Sequence, residues 1–365
     1  MEPTSAAKPS RRSEGTLPGL RDRLPWPADK PFRILSIDGG GIRGILPAAL
    51  LTEFEAGLPE GRSSGDYFDM IAGTSTGGII ALGLSIGLKA SDILQVYMEH
   101  GEEIFPPTRP PFRRIKAKLR FIRSLSRYQY EREPLERHLR KVFGHRQFGE
   151  AQRRLCIPSF DGSTEVNVFK TPHHPDFKLD WREQMVTIAL ATSAAPTFFS
   201  VYLNNDRRFA DGGVWANNPT MVALVDALTC YDLDRRQVQI LSLGCGESEM
   251  YITDRQVHLG GLWHWRDIIS AAMRLAGQNA LGQAGLLIGR DQLLRIDAPP
   301  VHESPIELDD FDRAGKELPP IAAQLASAHY EAVKVKFFTE AAEPYSAFYG
   351  PRGAEASVSD ADRSN

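Results

Sequence analysis

Three short stretches carry residue types and spacings that can do chemistry. Gly73-Thr74-Ser75-Thr76-Gly77 satisfies G-x-S-x-G. Small residues beside a serine permit a sharp, strained strand-to-helix turn that lifts the hydroxyl above the sheet edge as a nucleophile. Gly39 to Gly44, inside RILSIDGGGIRGIL, satisfies G-x-G-x-x-G. That loop can hold a pyrophosphate, or its side-chain-free N–H groups at a helix start can hold the oxyanion of a reaction intermediate. In RRFADGGVWANNP, Asp211 ends a short run and precedes Gly212 and Gly213, so its carboxylate would sit on a tight turn at the sheet edge.

Spacing separates the two uses of the first loop. A dinucleotide fingerprint needs an acidic residue about 20 residues on, at the end of the second strand. The second strand runs instead into the Ser75 turn. A P-loop fails as well, because Ile45 stands where the lysine would follow the last glycine. If the two glycine turns close adjacent parallel strands, they open into one crevice, and the N–H groups of Gly39, Gly40 and Gly41 face an anion formed at Ser75. A serine also needs a base. His258, His264, His302 and His329 all follow it in the chain, as a Ser-Asp-His order requires, but none lies in a glycine-bounded turn after a strand. Asp211 does, and in dry surroundings it could take the serine proton directly. An ordinary β-turn aspartate would look the same in isolation.

The elements that must position these residues follow from the pattern. FRILSI reads as a buried strand and a helix follows from Gly44 to about Leu58. DMIAG is a second buried strand leading through TSTGG into a helix ending near Gly87, and Ser91 caps another. Further strands are expected at 155–160, 165–171, 208–210, 239–243 and 292–296. Helices are expected at 181–192, 220–229, 263–287 and 320–338. Strand, glycine turn and helix in alternation mean an α/β fold with a mostly parallel sheet covered on both faces. The expected organisation is a flexible leader over 1–31, one domain over 32–348 with its catalytic core at 34–226, and a disordered tail over 349–365.

The 365 residues are 42% hydrophobic with a net charge of −3, enough for a large core and too neutral for nucleic-acid binding by bulk charge, so no DNA or RNA partner is expected. Cys156, Cys230 and Cys245 are odd in number and widely spaced, which fits a reducing cytosol rather than a disulfide framework or a zinc site. Residues 70–88 carry no charge, but their glycines and hydroxyl residues suit a strand, turn and core helix better than a membrane span.

DGGGIRG, GTSTGG and DGGVWANNP, with TSAAPTFFS and ILSLGCGE, resemble the patatin-like phospholipases over about 32–338. The resemblance implies a three-layer α/β/α patatin-like fold and a Ser–Asp dyad of Ser75 and Asp211. It implies the Gly39 to Gly44 loop as oxyanion hole, with Arg43 ordering it; the N–H groups of Gly39, Gly40, Gly41 and Thr76 are the expected donors, and Gly44, Gly73, Gly77, Gly212 and Gly213 the motif glycines. It further implies hydrolysis of membrane phospholipid acyl esters with no cofactor or metal. Some bacterial members are anti-phage effectors switched on by cyclic oligonucleotides, so such an activator is an expected partner. A homo-oligomer stays open.

Eight basic and no acidic residues lie between Arg109 and Arg127, and Phe112, Ile115, Leu119 and Ile122 recur at helical spacing. This is either a basic amphipathic helix for an anionic membrane or a cap helix packed on the core. The first fits a cytoplasmic protein that associates peripherally with the inner membrane face. Trp263 and Trp265 are core residues or a stacking platform for a nucleotide. Rival functions are a soluble esterase or thioesterase with the same dyad, and a nucleotide-binding regulator without catalysis.

Overall fold

β1 (Phe32–Ile37) sends Phe32 and Ile34 to one face of the sheet and Leu35 and Ile37 to the other, and all four are fully buried. Only a sheet covered on both sides accepts such a strand. The computed structural model describes residues 21–106, 128–162, 165–196, 198–246, 268–299 and 305–353. The 109–127 basic stretch, Trp263 and Trp265, and most of the expected leader and tail lie outside them.

A 3-10 turn (Gly41–Gly44) leads from β1 into α1 (Ile45–Glu55). β2 (Met70–Gly73) is followed by α2 (Thr76–Ser85), α3 (Ala90–Ile104) and α4 (Glu133–Phe143). Then come β3 (Arg154–Asp161), β4 (Glu165–Lys170), α5 (Met185–Thr192), β5 (Tyr202–Asn204) and β6 (Arg207–Asp211). The one-turn α6 (Gly213–Ala216), α7 (Thr220–Cys230), β7 (Val238–Leu243), α8 (Ile268–Ile288), β8 (Leu293–Ile296) and α9 (Phe311–Phe337) complete the order. The eight strands form one sheet. The β1–β2, β1–β7, β2–β3 and β7–β8 pairs are parallel, while β3–β4, β3–β6 and β5–β6 are antiparallel.

Helices cover both faces. α1, α2, α5 and α9 bury their apolar residues in the larger core, and α7 and α8 do so in the smaller one. The expected three-layer, mostly parallel α/β architecture is therefore what the chain adopts. Among the described residues no helix is long and apolar enough to cross a membrane, and residues 70–88 form a strand, a turn and a core helix, as their glycines suggested.

Some expected elements shift. The end of the expected flexible leader is packed: Leu24 bridges to Tyr231, and the Trp26 ring lies 4.8 Å from Phe32. The helix expected from Trp181 starts at Met185, because Glu183 and Gln184 are extended and Gln147 pairs with Gln184. The helix expected from Pro320 starts at Phe311 and carries Pro319 and Pro320 inside it. Each interior proline costs about 3 kcal/mol. The Asp310 carboxylate, which accepts the Arg313 N–H at the helix start, and the face buried through Ala314, Leu318, Ala322, Val333 and Phe337 offset that cost. α4 and the three-residue β5 were not anticipated.

Candidate active site

The strand registers bring Ser75 and Asp211 together. β3 pairs with β4 along one edge from Cys156 to Asp161. Its other edge is shared: Arg154 to Cys156 pair with β2, and Ser159 to Asp161 pair with β6. β2 runs parallel to β3 and β6 antiparallel, so their carboxyl ends meet head to head, with Pro158, which has no N–H to offer a ladder, at the handover. One end leads into the Ser75 turn, and the other is Asp211.

Ser75 has φ 55° and ψ −120°, a conformation costly for a side-chain-bearing residue and held only when neighbours over-determine it. Its N–H donates to Thr192 Oγ1 at 2.9 Å, and that hydroxyl donates to the Pro158 carbonyl at 2.6 Å. Thr74 Oγ1 donates to the Ala216 carbonyl at 2.6 Å, and the Gly77 N–H closes the turn on the Thr74 carbonyl at 2.8 Å. The flanking glycines are steric requirements. A Cβ at Gly77 would come within 2.3 Å of the Ile37 carbonyl oxygen, and one at Gly73 within 2.1 Å of the Gly77 carbonyl oxygen.

Asp211 is 5% exposed. The Ser75 side chain lies close enough to its carboxylate to pull its pKa down, and its Oδ1 accepts the Gly213 N–H at 2.6 Å. Burial raises its pKa to about 6, against the opposing pull of the Ser75 side chain and the Gly213 N–H. The carboxylate is thus a stronger base than an exposed aspartate and still mostly ionised at pH 7. The N–H groups of Asp211 and Gly212 bond the carbonyls of Ala194 and Thr192. α8 packs against this turn, with the Met273 methyl 3.0 Å from where a Gly213 Cβ would lie.

The triple-glycine loop lies beside this pair, since Ile37 is in register with Gly73. One expected donor is corrected: the Gly39 N–H is spent on the Asn217 carbonyl at 3.0 Å and cannot serve an oxyanion. Gly40 and Gly41 precede the first hydrogen bond of the 3-10 turn and Thr76 opens α2, so their N–H groups are of the kind helix starts leave without an internal acceptor. Among the described residues none is assigned. Gly41 has φ +57°, and a Cβ there would meet the Leu308 carbonyl at 2.4 Å. Arg43 does not point its charge at Ser75. Its Nη1 donates to the Gly246 carbonyl at 2.5 Å, and its N–H to the Gly40 carbonyl at 3.1 Å. Gly44 lies where a Cβ would strike Thr76 Oγ1 at 2.1 Å, and Gly212 where one would strike the Pro158 carbonyl at 2.3 Å.

Sequence reasoning assigned no role to Thr192, Asn217 or Asn218. Asn217 Nδ2 donates to the Gly39 carbonyl at 3.3 Å, and Asn218 Nδ2 to Asp38 Oδ1 at 2.8 Å. Their signal was present in TSAAPTFFS and WANNP as polar residues next to motif glycines. Of the alternative bases, His258, His264 and His302 lie outside the described residues. His329 sits on α9, and neither Ser75 nor Asp211 bonds a described histidine.

Among the described residues two clusters have metal-ligand chemistry. His100, Glu103 and His138 lie together, but the two imidazoles stack at 3.8 Å with planes 15° apart, so their in-plane lone pairs cannot converge on one ion, and Arg137 holds the other Glu103 oxygen. His173, Asp226 and Cys230 are buried together, yet Lys170 already supplies the cation to Asp226. Neither set fits a metal as it stands.

A strained serine on a strand-to-helix turn, set against a buried carboxylate and beside free backbone donors, is the arrangement of a serine-nucleophile acyl-transfer site. The chain belongs to the patatin-like phospholipase family, whose model matches residues 35–224. It is similar to a cGAMP-activated phospholipase of Escherichia coli (38% identity, covering 59% of this chain and 63% of the relative). It is also similar to a protein of the same description from Vibrio cholerae (40%, covering 53% and 56%) and to patatin-like protein 1 of Oryza sativa subsp. indica (34%, covering 66% of each). The chain thus spans 63% and 56% of the length of these two bacterial relatives.

Proposed function

We propose that the protein hydrolyses acyl esters of membrane phospholipids through Ser75 and Asp211, with a cyclic nucleotide as activator in antiviral defence. The observation that carries this is the strained Ser75 turn set against the buried Asp211, whose pKa is raised to about 6. Asp211 takes the Ser75 proton as Oγ attacks the ester carbonyl. The Gly40, Gly41 and Thr76 N–H groups receive the tetrahedral oxyanion, and Asp211 returns the proton to the departing lysolipid oxygen. Water, deprotonated by Asp211, then attacks the acyl-enzyme and releases the fatty acid and Ser75. Arg43 keeps the glycine loop in place. The activator is inferred from the names of the bacterial relatives, and the membrane as site of action from the substrate class.

Fluorophosphonate should label wild-type protein at Ser75 and leave Ser75→Ala unmodified. Fatty-acid release from bacterial-lipid vesicles should depend on Ser75 and rise with one member of a cyclic-nucleotide panel that includes cGAMP. An unlabelled wild type would remove the hydrolase, whereas turnover of short monomeric esters as fast as vesicle lipid would replace the phospholipase by a soluble esterase.

A further inference from the structure

From Gly39 to Gly41 the loop has no side chains with which to hold itself, yet its N–H groups act on a developing charge only if they are fixed beforehand. Both of its ends are tied to residues at the end of β8. Arg295 Nη2 donates to Asp38 Oδ2 at 2.7 Å, and Nη1 to Ser242 Oγ at 3.0 Å. Asp38 is 1% exposed, and a carboxylate that deep requires charge or hydrogen-bond compensation. Asp297 Oδ2 receives the same Arg295 nitrogen at 2.7 Å, while its Oδ1 accepts the Gly246 and Ala298 N–H groups, both at 2.8 Å. The Gly246 carbonyl is the acceptor of Arg43. Two hydrogen-bonded lines therefore leave the 295–297 pair. One ends on Asp38 just before the glycines, and the other on Arg43 just after them.

We propose that Arg295 and Asp297 are positioning residues for the oxyanion loop, Arg295 acting through Asp38 and Asp297 through Gly246 and Arg43. They set the direction in which the Gly40 and Gly41 N–H groups face Ser75, and neither touches substrate. The proposal rests on the hydrolase reading above and extends its machinery to residues outside the 35–224 family match. A pair that only pinned the sheet edge would change stability and the fraction of folded protein. A pair that aims the loop changes kcat per folded molecule.

The test compares wild type with Arg295→Met, Arg295→Lys and Asp297→Asn in the full chain. Active protein is titrated with fluorophosphonate, kcat and KM are measured on p-nitrophenyl butyrate, and affinity is measured for a trifluoromethyl ketone, whose tetrahedral adduct places an oxyanion in the loop. Arg295→Met and Asp297→Asn should lower kcat about 10- to 100-fold, less than the 10²- to 10³-fold typical of deleting a donor outright. KM should stay within about twofold and ketone affinity should fall in parallel with kcat, and Arg295→Lys should recover part of both. Unchanged kcat per titrated site in either substitution overturns the positioning role. If Arg295→Met does not fold, Asp297→Asn, which keeps the side-chain shape, decides alone. A wild type that neither labels at Ser75 nor turns over the ester overturns the hydrolase reading and this proposal together.

Discussion

Asp211→Asn removes a charge that the fold holds at a cost, so activity and stability should move in opposite directions. The asparagine can still accept the Gly213 N–H but cannot take the Ser75 proton. In the native protein Asp211 has a pKa of about 6 against an ordinary 3.8. An acid whose folded pKa is raised contributes stability that is complete below the unfolded value and is lost as pH rises through the folded one. The roughly two-unit difference corresponds to ~3 kcal/mol, of which about 2 kcal/mol falls between pH 4.5 and 7.5. Urea unfolding of Asp211→Asn and wild type across that range should show the mutant gaining on wild type by that amount as pH rises. Wild-type kcat/KM should climb through about pH 6 as the carboxylate ionises, while the mutant stays inactive throughout. A stability difference that is flat with pH would refute the buried-base reasoning, as would one that shrinks as pH rises.

Thr192→Val deletes the hydroxyl that holds the Ser75 N–H, leaving a buried donor unpaired at a cost of about 1–3 kcal/mol. Unfolding measurements should find that loss, and ester turnover should fall in kcat more than KM moves. For Asp226, burial alone would raise the pKa, but the Lys170 ammonium and the His173 imidazole, 2.7 Å away, outweigh it and hold the carboxyl far below its usual range. Asp226→Ala leaves those two groups unpaired in the core and should destabilise by about 3–5 kcal/mol at pH 7. That difference should diminish only under strong acid, because a depressed pKa gives stability above the unfolded value that is lost as pH falls through the folded one.

The sequence by itself determined the layers and the turns. In FRILSI the apolar residues Phe32, Ile34, Leu35 and Ile37 fall on both faces of an extended chain, and with glycines and a helix following, that reads as a strand covered on both sides. The glycines around Ser75 are required wherever that turn forms, because Cβ atoms at Gly73 and Gly77 would strike backbone oxygens. These are local facts, and local spacing carries them. Tertiary structure alone decided which groups face one another. The head-to-head meeting of β2 and β6 on one edge of β3 joins residues 136 positions apart, and no periodicity encodes which edge β6 takes. The same holds for the Gly39 N–H, which a glycine motif offers as a donor but the approach of Asn217 consumes. It holds for the pKa of Asp211 too, because a carboxylate becomes a useful base only where packing from α5, α8 and β3 shuts out water, and those contacts come from separate parts of the chain.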